Sequence, residues 1–269
     1  MVGKDTVLVL GATGGIGGEV ARQLRDAGWD TRALQRRAAQ SVEERNGITW
    51  IRGDAMNRDD VMAAANGCSV IVHAVNPPGY RRWSEMERRL LAASCNGARV
   101  LIVRAGDFFG PQAANNWFSQ GLVKPRKPVA AVSYPGSPAV GHLWSYLPDV
   151  ARTMIELLAR RDSLDAFSAF HTAGHWDADG LQMVKSIQRV VAQRAGKEPR
   201  TSAFPWWLIS LASPLVTTFR EMREMRYLWR EPLRMDNARL IAVLGREPHT
   251  PLDQAVEATL LGLGCVDLP

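Results

Sequence analysis

The fold is decided near the amino terminus by Val7-Leu8-Val9-Leu10-Gly11-Ala12-Thr13-Gly14-Gly15-Ile16-Gly17. An apolar run of strand length ends at a glycine, and an apolar pattern with helical spacing follows until Gly28. This order predicts a strand, a tight turn and a helix.

The glycines of this turn indicate a binding site for a pyrophosphate. Gly11 and Gly14 let the backbone turn sharply and approach a bulky anion, and Gly17 lets the helix pack close to the strand. Free N–H groups at the start of the helix face the phosphates. A purely structural turn is the alternative. The predicted cofactor contacts in the turn are Gly11, Thr13, Gly14, Gly15, Ile16 and Gly17.

The end of the second predicted strand, Trp29–Leu34, distinguishes two dinucleotides. An acidic residue at this place holds the ribose 2′-hydroxyl of NAD, whereas arginine accommodates the 2′-phosphate of NADP. The strand is followed by Arg36 and Arg37, and Asp30 lies at its wrong end. We therefore expect NADP rather than NAD, with Arg36 the better candidate; ordinary solvated arginines are the alternative.

Composition restricts the class of protein. The chain has 269 residues, a net charge of +6 and three scattered cysteines, which indicate neither a disulfide framework nor a zinc site. The arginines are spread along the chain or alternate with glutamates, so we expect no nucleic-acid partner. The amino terminus shows no signal segment, and Phe204–Phe219 is too short to span a membrane. We expect a cytoplasmic protein without a membrane partner, and a buried helix at Phe204–Phe219.

Strands that alternate with helical patterns predict an α/β fold with a Rossmann-type, doubly wound parallel sheet. Its further strands are expected at Ile48–Arg52, Ser69–Ala74 and Arg99–Val103. We expect a dinucleotide-binding domain at residues 1–172, with 106–140 contributing to the substrate side. A smaller, mostly helical substrate-binding region is expected at 173–269. Its Trp206, Trp207 and Trp229 line a pocket or belong to the core.

Ligands of such sheets bind beyond the carboxyl ends of the strands. Ala74, Val75 and Asn76 leave the fourth strand there and are predicted to lie beside the cofactor, whereas His73 within the strand is expected in the core. The loop Arg104–Pro111 leaves the fifth strand and is a candidate substrate contact. His171 and His175 have helical spacing, but Gly174 lies between them, and we expect no metal site.

With these residues placed, the chain resembles the extended or atypical short-chain dehydrogenase/reductases, the NAD-dependent epimerase/dehydratase family. The matching segments are Gly11–Gly17, Gly53-Asp54, Arg104–Pro111, Tyr146–Ala151 and Leu244–Pro251. The resemblance covers most of the chain in the family's order. It implies a cofactor contact at Asp54 and a small-molecule substrate.

The chain departs from the family where the catalytic Tyr-x-x-x-Lys pair belongs. Four residues beyond Tyr80, Tyr134, Tyr146 and Tyr227 stand Ser, Pro, Val and Glu, respectively. Only 23 residues, 76–98, separate the fourth and fifth strands, and a strand-helix-strand unit needs about 30 or more. We expect that one unit is missing and that the Arg99–Val103 strand moves next to the fourth strand.

Three functions follow from the resemblance. The first is an NADP(H)-dependent oxidoreductase or epimerase with a non-standard proton donor, for which Tyr80 is a weak candidate. The second is a catalytically silent NADP-binding sensor or scaffold. The third is a remnant in which the shortened segment disrupts the nicotinamide half of the site.

Overall fold

The computed structural model describes residues 5–75, 87–92, 95, 97–113, 116–214 and 216–267. The chain forms two compact units that interleave in the sequence. The first comprises Met1–Val100 and Val150–Phe167, and the second comprises Leu101–Asp149 and Ser168–Pro269.

The first unit contains a five-stranded sheet. Its strands are β1 (Thr6–Leu10), β2 (Asp30–Gln35), β3 (Val42–Arg45), β4 (Ile48–Arg52) and β5 (Val70–His73). Their order is β3-β4-β2-β1-β5, and β4, β2, β1 and β5 are parallel. Two helices, α1 (Gly15–Asp26) and α2 (Arg58–Ala65), connect parallel strands. The predicted Rossmann-type α/β fold is thereby confirmed.

Helices cover both faces of this sheet. Val7 and Val9 of β1 pack with Val20 and Leu24 of α1, and with Ala151 of a further helix, α3 (Leu147–Ala159). The alternate residues of β1, Leu8 and Leu10, belong to a second cluster that includes residues of α2. This alternation is the signature of a doubly wound sheet.

The antiparallel strand β3 was not predicted. It pairs with β4 through a two-residue loop, Asn46-Gly47, and both loop residues have positive φ, 54° and 69°. Asn-Gly with this conformation is the typical hairpin turn, because its twist matches that of the strands. The dipeptide was the available sequence signal for this hairpin.

The strand β5 is less covered than the sequence suggested. Ile71 is 51% exposed, and His73 is also exposed. The expectation of His73 as a core histidine is therefore wrong. Within the part of the chain that the structure describes, only β1 pairs with β5, which leaves side chains at this edge open to solvent.

The next strand, β6 (Val100–Arg104), was expected beside β5, and this expectation is wrong. It pairs instead with β10 (Phe167–His171) in a separate two-stranded sheet. The Val100 N–H donates to the Ala166 carbonyl at 2.7 Å, and the Thr172 N–H donates to the Arg104 carbonyl at 3.0 Å. Backbone pairing with a strand distant in sequence thus decides the position of β6.

The second unit combines small sheets with helices. One sheet has the order β11-β9-β7, and the other pairs β12 with β8 in parallel. These strands are β7 (Asp107–Phe109), β8 (Ala131–Tyr134), β9 (His142–Tyr146), β11 (His175–Asp177) and β12 (Arg200–Ala203). The helices are α4 (Gln182–Ala195), α5 (Trp206–Ala212), α6 (Thr217–Glu224), α7 (Ala238–Leu244) and α8 (Leu252–Gly262).

The core of the second unit is aromatic. Phe109 and Phe118 are stacked with ring centroids 5.7 Å apart, and Trp144 contacts both edge-on. Trp229 is only 2% exposed and packs against Trp144 and Tyr134. Of the two interpretations of the tryptophans, core packing therefore applies to Trp229.

The two units divide the chain differently from the predicted boundary after residue 172. Residues 101–149 belong to the second unit because β7 and β9 form one sheet with β11, which comes much later in the sequence. The predicted assignment of 106–140 to the substrate side remains a prediction.

The Phe204–Phe219 segment is not a buried helix, and that expectation is wrong. It is divided between α5 and α6, and Trp207 and Leu211 of α5 are 72% and 71% exposed. Among the described residues, no helix combines the length and the apolar character that crossing a membrane requires.

Candidate functional site

The glycine-rich turn lies at the carboxyl edge of the first unit's sheet. Leu10, the last residue of β1, pairs with Leu34 of β2 and with His73 of β5. Parallel pairing brings the ends of these three strands to one edge. The predicted contacts Gly11, Arg36 and Ala74 therefore leave the sheet at the same side.

Position 11 requires glycine for two reasons. Its φ is +87°, a conformation that L-residues rarely adopt. A Cβ atom on it would lie 2.6 Å from the Ala74 carbonyl oxygen and 3.2 Å from the Val75 nitrogen. The turn thus passes directly against the exit of β5, where Ala74 and Val75 were predicted to lie.

Gly14 and Gly17 shape the start of α1. The Gly14 N–H donates to the Gly11 carbonyl oxygen at 2.9 Å, which closes the turn. A Cβ atom on Gly17 would lie 2.3 Å from the same oxygen and 3.1 Å from the Ala74 Cβ. The helix can approach the turn only because this position is glycine.

The amino end of α1 is suited to an anion. Gly14 is its N-cap and supplies no side-chain hydrogen bond, and the first turn contains no acidic residue. The first N–H groups of a helix lack intrahelical acceptors and carry a partial positive charge. Thr13 and Gly14 are exposed, and Gly15 and Ile16 are half-buried. These residues fit the pyrophosphate of a dinucleotide.

Arg36 and Arg37 form an exposed turn directly after β2. The following residues are held by Arg52 at the end of β4. Its Nε donates to the Ala38 carbonyl at 3.1 Å, and its Nη2 donates to the Ala39 carbonyl at 2.7 Å. The turn that presents the two arginines is thus fixed on its carboxyl side.

Asp54 lies near the start of the loop between β4 and α2. Its N–H donates to Asp60 Oδ2 at 2.7 Å, and its Oδ1 accepts from the Met56 N–H at 3.0 Å. The side chain is therefore already used in a local turn, and its cofactor contact remains a prediction. Asn76 and Tyr80 lie outside the described residues.

The second unit contains a histidine–aspartate pair that the sequence analysis missed. His142 Nε2 lies 2.9 Å from Asp107 Oδ2, and His142 Nδ1 lies 3.2 Å from the Leu228 carbonyl oxygen. Each ring nitrogen of His142 therefore faces an oxygen that accepts hydrogen bonds. The His142 ring stacks on the ring of Trp229, with the ring centroids 3.9 Å apart and an angle of 6° between the ring planes.

One member of this pair, Asp107, belongs to the predicted substrate loop Arg104–Pro111. Phe109 of that loop is fully buried in the aromatic core, and the Asp107 side chain is 20% exposed. Asp107 and His142 are 35 residues apart, and no spacing rule connects them. Sequence reasoning therefore had no signal for the pair.

His175 lines a cavity of about 210 Å³ in the second unit. Its ring lies 4.4 Å from the ring of His249 and edge-on to Phe109 at 5.7 Å. Burial lowers the pKa of His175 to about 4, and His249 contributes, whereas Asp149 opposes the shift.

His171, the other histidine of the possible metal-ligand spacing, contacts Arg104 through Nε2 at 3.1 Å. No group of three or more potential metal ligands occurs within the described residues.

Residues 11–124 match the family model described as NAD(P)H-binding. The chain contains an NAD(P)H-binding domain. The matched region begins at the glycine turn, and the cofactor contacts predicted for the residues of that turn remain predictions. No curated protein sequence matches the chain.

Solved structures share the fold of the NAD(P)H-binding domain and of the rest of the chain. UDP-glucuronic acid 4-epimerase from Bacillus cereus, in complex with UDP-glucuronic acid and NAD, has a TM-score of 0.65 and 14% identity, covering 96% of this chain and 98% of that one. UDP-glucose 4-epimerase from Bifidobacterium longum has a TM-score of 0.62 and 12% identity, covering 97% of each chain.

A nucleoside-diphosphate-sugar epimerase from Pseudomonas aeruginosa has a TM-score of 0.58 and 15% identity, covering 96% of this chain and 97% of that one. At these identities the similarity establishes the fold. The expected relationship to NAD(P)-binding proteins with the epimerase/dehydratase fold is confirmed to this extent.

Proposed function

We propose that the chain binds NADP(H) in preference to NAD(H). The observation that carries this proposal is the exposed pair Arg36–Arg37 directly after β2, where no acidic residue ends the strand. A guanidinium group can pair with the 2′-phosphate through two parallel hydrogen bonds. A carboxylate in this place would instead hold the 2′-hydroxyl of NAD and repel the phosphate.

Arg52 supports this preference by positioning the turn. Its two hydrogen bonds to the Ala38 and Ala39 carbonyls hold the segment that follows Arg37. The backbone of β2 is held as well, because the Gly53 N–H donates to the Gln35 carbonyl at 3.2 Å. A turn held at both ends presents the arginines with less loss of conformational entropy on binding.

On the basis of its fold, the reaction proposed for this chain is that of an oxidoreductase or epimerase that acts on a small molecule. A bound nicotinamide would supply hydride transfer. The residues of this chain supply its binding, with Gly11–Gly17 at the pyrophosphate and Arg36 at the 2′-phosphate. The proton donor is not the family's Tyr-x-x-x-Lys pair, which the sequence lacks, and Tyr80 is its weak candidate replacement.

The absence of that pair favours one alternative, a catalytically silent NADP-binding sensor or scaffold. This alternative predicts binding without turnover. NADPH consumption by the pure protein with carbonyl substrates would contradict it, and a Tyr80→Phe variant with unchanged activity would remove Tyr80 from the mechanism. In either case we propose a cytoplasmic location, where NADP(H) is available to the domain.

Titration of the full chain with NADPH and with NADH tests the cofactor preference. We expect Arg36→Ala to weaken NADPH binding at least about tenfold, the loss of a charge-assisted hydrogen bond, and to change NADH binding little. Arg58→Ala is the matched control, because the Arg58 side chain is 85% exposed on α2. Equal losses for both cofactors in Arg36→Ala would refute the 2′-phosphate assignment.

A further inference from the structure

The cavity beside His175 has the size of a small-molecule site. Its volume is about 210 Å³, and β9, β11, α4 and α8 contribute to its lining. Every residue that lines it belongs to the second unit. A protein cavity of roughly 150 Å³ can enclose a benzene molecule. This cavity therefore has room for one aromatic ring with a substituent.

Two buried polar atoms belong to residues that line this cavity. They are Trp144 Nε1 and His175 Nε2, and neither atom has a hydrogen-bond partner among the described residues. Trp144 is 0% exposed and His175 is 8% exposed. Buried polar atoms in proteins are nearly always hydrogen-bonded, either to the protein or to a bound molecule. These two atoms are therefore candidates for ligand contacts.

Strand pairing brings these two side chains together. The strand β11 runs antiparallel to β9, and His175 lies directly opposite Trp144 in this pair. Directly opposite residues project to the same face of a sheet, with their Cβ atoms about 4.5–5.5 Å apart. A single small ligand in the cavity can therefore reach both side chains.

The charges of the lining favour a neutral ligand. Of the described residues that line the cavity, none is lysine or arginine. Asp177 supplies a carboxylate, but its two oxygens already accept from the N–H groups of Gln182 and Met183 at 3.0 Å each. Burial lowers the pKa of His175 to about 4, so this ring is neutral at pH 7. An anion would therefore meet no guanidinium or ammonium group, and a cation would meet a carboxylate that is already hydrogen-bonded.

We propose that this cavity binds a small, neutral aromatic molecule that carries a hydroxyl group, the chemistry of a phenol. Trp144, His175, Trp176 and His249 supply aromatic rings to the lining, against which a ligand ring packs edge-on or in offset stacking. A hydroxyl group can accept one hydrogen bond and donate another. It accepts from Trp144 Nε1 and donates to His175 Nε2, with the imidazole proton on Nδ1.

Two other occupants fit the cavity less well. A metal ion could approach His175 and His249, whose ring centroids are 4.4 Å apart, but no group of three potential metal ligands occurs within the described ranges. The indole N–H of Trp144 is a donor only and cannot bind a metal. Ordered water would satisfy the two polar atoms but would gain nothing from the aromatic rings.

Isothermal titration of the full chain at pH 7 with phenol, benzene and benzoate tests this proposal. We expect one bound phenol per chain and about tenfold weaker binding of benzene, because benzene leaves both buried atoms unpaired. Benzoate should also bind more weakly than phenol, since its charge has no partner in the cavity. His175→Phe retains a ring but removes Nε2, so it should reduce the preference for phenol over benzene severalfold.

Leu252→Phe tests the location of the site. Leu252 is half-buried at the start of α8 and lines the cavity, so a larger side chain should occupy the space and weaken phenol binding at least about tenfold. Leu261→Phe is the matched control, because Leu261 is half-buried on the same helix and does not line the cavity. Equal phenol affinity in these two variants would overturn the proposal.

Three further outcomes would also overturn it. Absence of saturable phenol binding would leave ordered water as the occupant. Tighter binding of benzoate than of phenol would assign the cavity to an anion. An unchanged preference for phenol in a folded His175→Phe variant would remove the hydrogen bond to Nε2. The residues that we propose for NADPH binding belong to the first unit, so a loss of phenol binding and a loss of NADPH binding are separate results.

Discussion

A Cβ atom on Gly11 would lie 2.6 Å from the carbonyl oxygen of Ala74. The turn after β1 and the exit of β5 therefore touch through backbone atoms, and glycine is the residue that permits this contact. The same approach leaves the amino end of α1 open to the anion that we propose it binds.

Gly11→Ala should destabilise the protein and abolish NADPH binding. The substitution combines a positive φ, which costs an L-residue roughly 1–2 kcal/mol, with a backbone clash that adds about 1–3 kcal/mol. Urea unfolding followed by circular dichroism measures the loss of stability, and NADPH fluorescence measures binding.

Gly28→Ala is the matched control for this substitution. Gly28 has a φ of +89°, nearly that of Gly11, but a Cβ atom on it would meet nothing within 4 Å. It should therefore show the cost of the positive φ alone and retain NADPH binding. Equal losses of stability in the two variants would show that the contact with Ala74 has no energetic effect.

Arg52→Ala should weaken binding of NADPH more than binding of NADH. The variant removes the two hydrogen bonds that hold the Ala38 and Ala39 carbonyls, so the arginine turn becomes mobile. We expect roughly a fivefold to tenfold loss for NADPH, the equivalent of about 1–1.4 kcal/mol. Isothermal titration with both cofactors measures the ratio.

Arg52→Lys refines this test. A single ammonium group cannot reproduce the forked contact of the guanidinium with two carbonyls, so the variant should lie between Arg52→Ala and the unaltered protein. An unchanged NADPH-to-NADH ratio in Arg52→Ala would refute the positioning role, even if Arg36→Ala alters that ratio as proposed.

The stability of the protein should decrease as the pH falls from about 6.5 to about 4. The pKa of His175 is lowered from 6.5 to about 4 in the folded chain, so between these values the unfolded state binds the additional proton. The shift corresponds to about 3 kcal/mol, fully present above pH 6.5 and lost on acidification. Burial of the ring is the main cause, and His249 is the second.

Chemical unfolding at several pH values measures this dependence. His175→Gln removes the titrating ring and should flatten the curve in this window. His249→Gln removes the nearby histidine and should reduce the slope partly, because the pKa of His175 then moves back towards its usual value. A slope that is the same in all three proteins would show that His175 is not its source.

The elements that sequence reasoning predicted correctly have local causes. The β1 strand, the glycine turn and α1 are specified by apolar spacing and by the backbone freedom of glycine within about twenty consecutive residues. The hairpin of β3 and β4 was equally local, through Asn46-Gly47, and was predictable in principle.

The errors concern partners that are distant in sequence. β6 has the composition of any buried parallel strand, and only its pairing with β10 determines where it lies. His142 and Asp107 meet because β9 pairs with β7. Whether Trp207 is buried depends on which side of α5 the second unit covers, and apolar composition is the same in either case.

The sequence by itself determined the glycine turn and the class of sheet, because turn geometry and strand period are properties of neighbouring residues. The tertiary structure alone decided where β6 pairs, which histidines are buried and which side of α5 is left uncovered. Those features depend on contacts between residues tens of positions apart, for which residue spacing along the chain contains no signal.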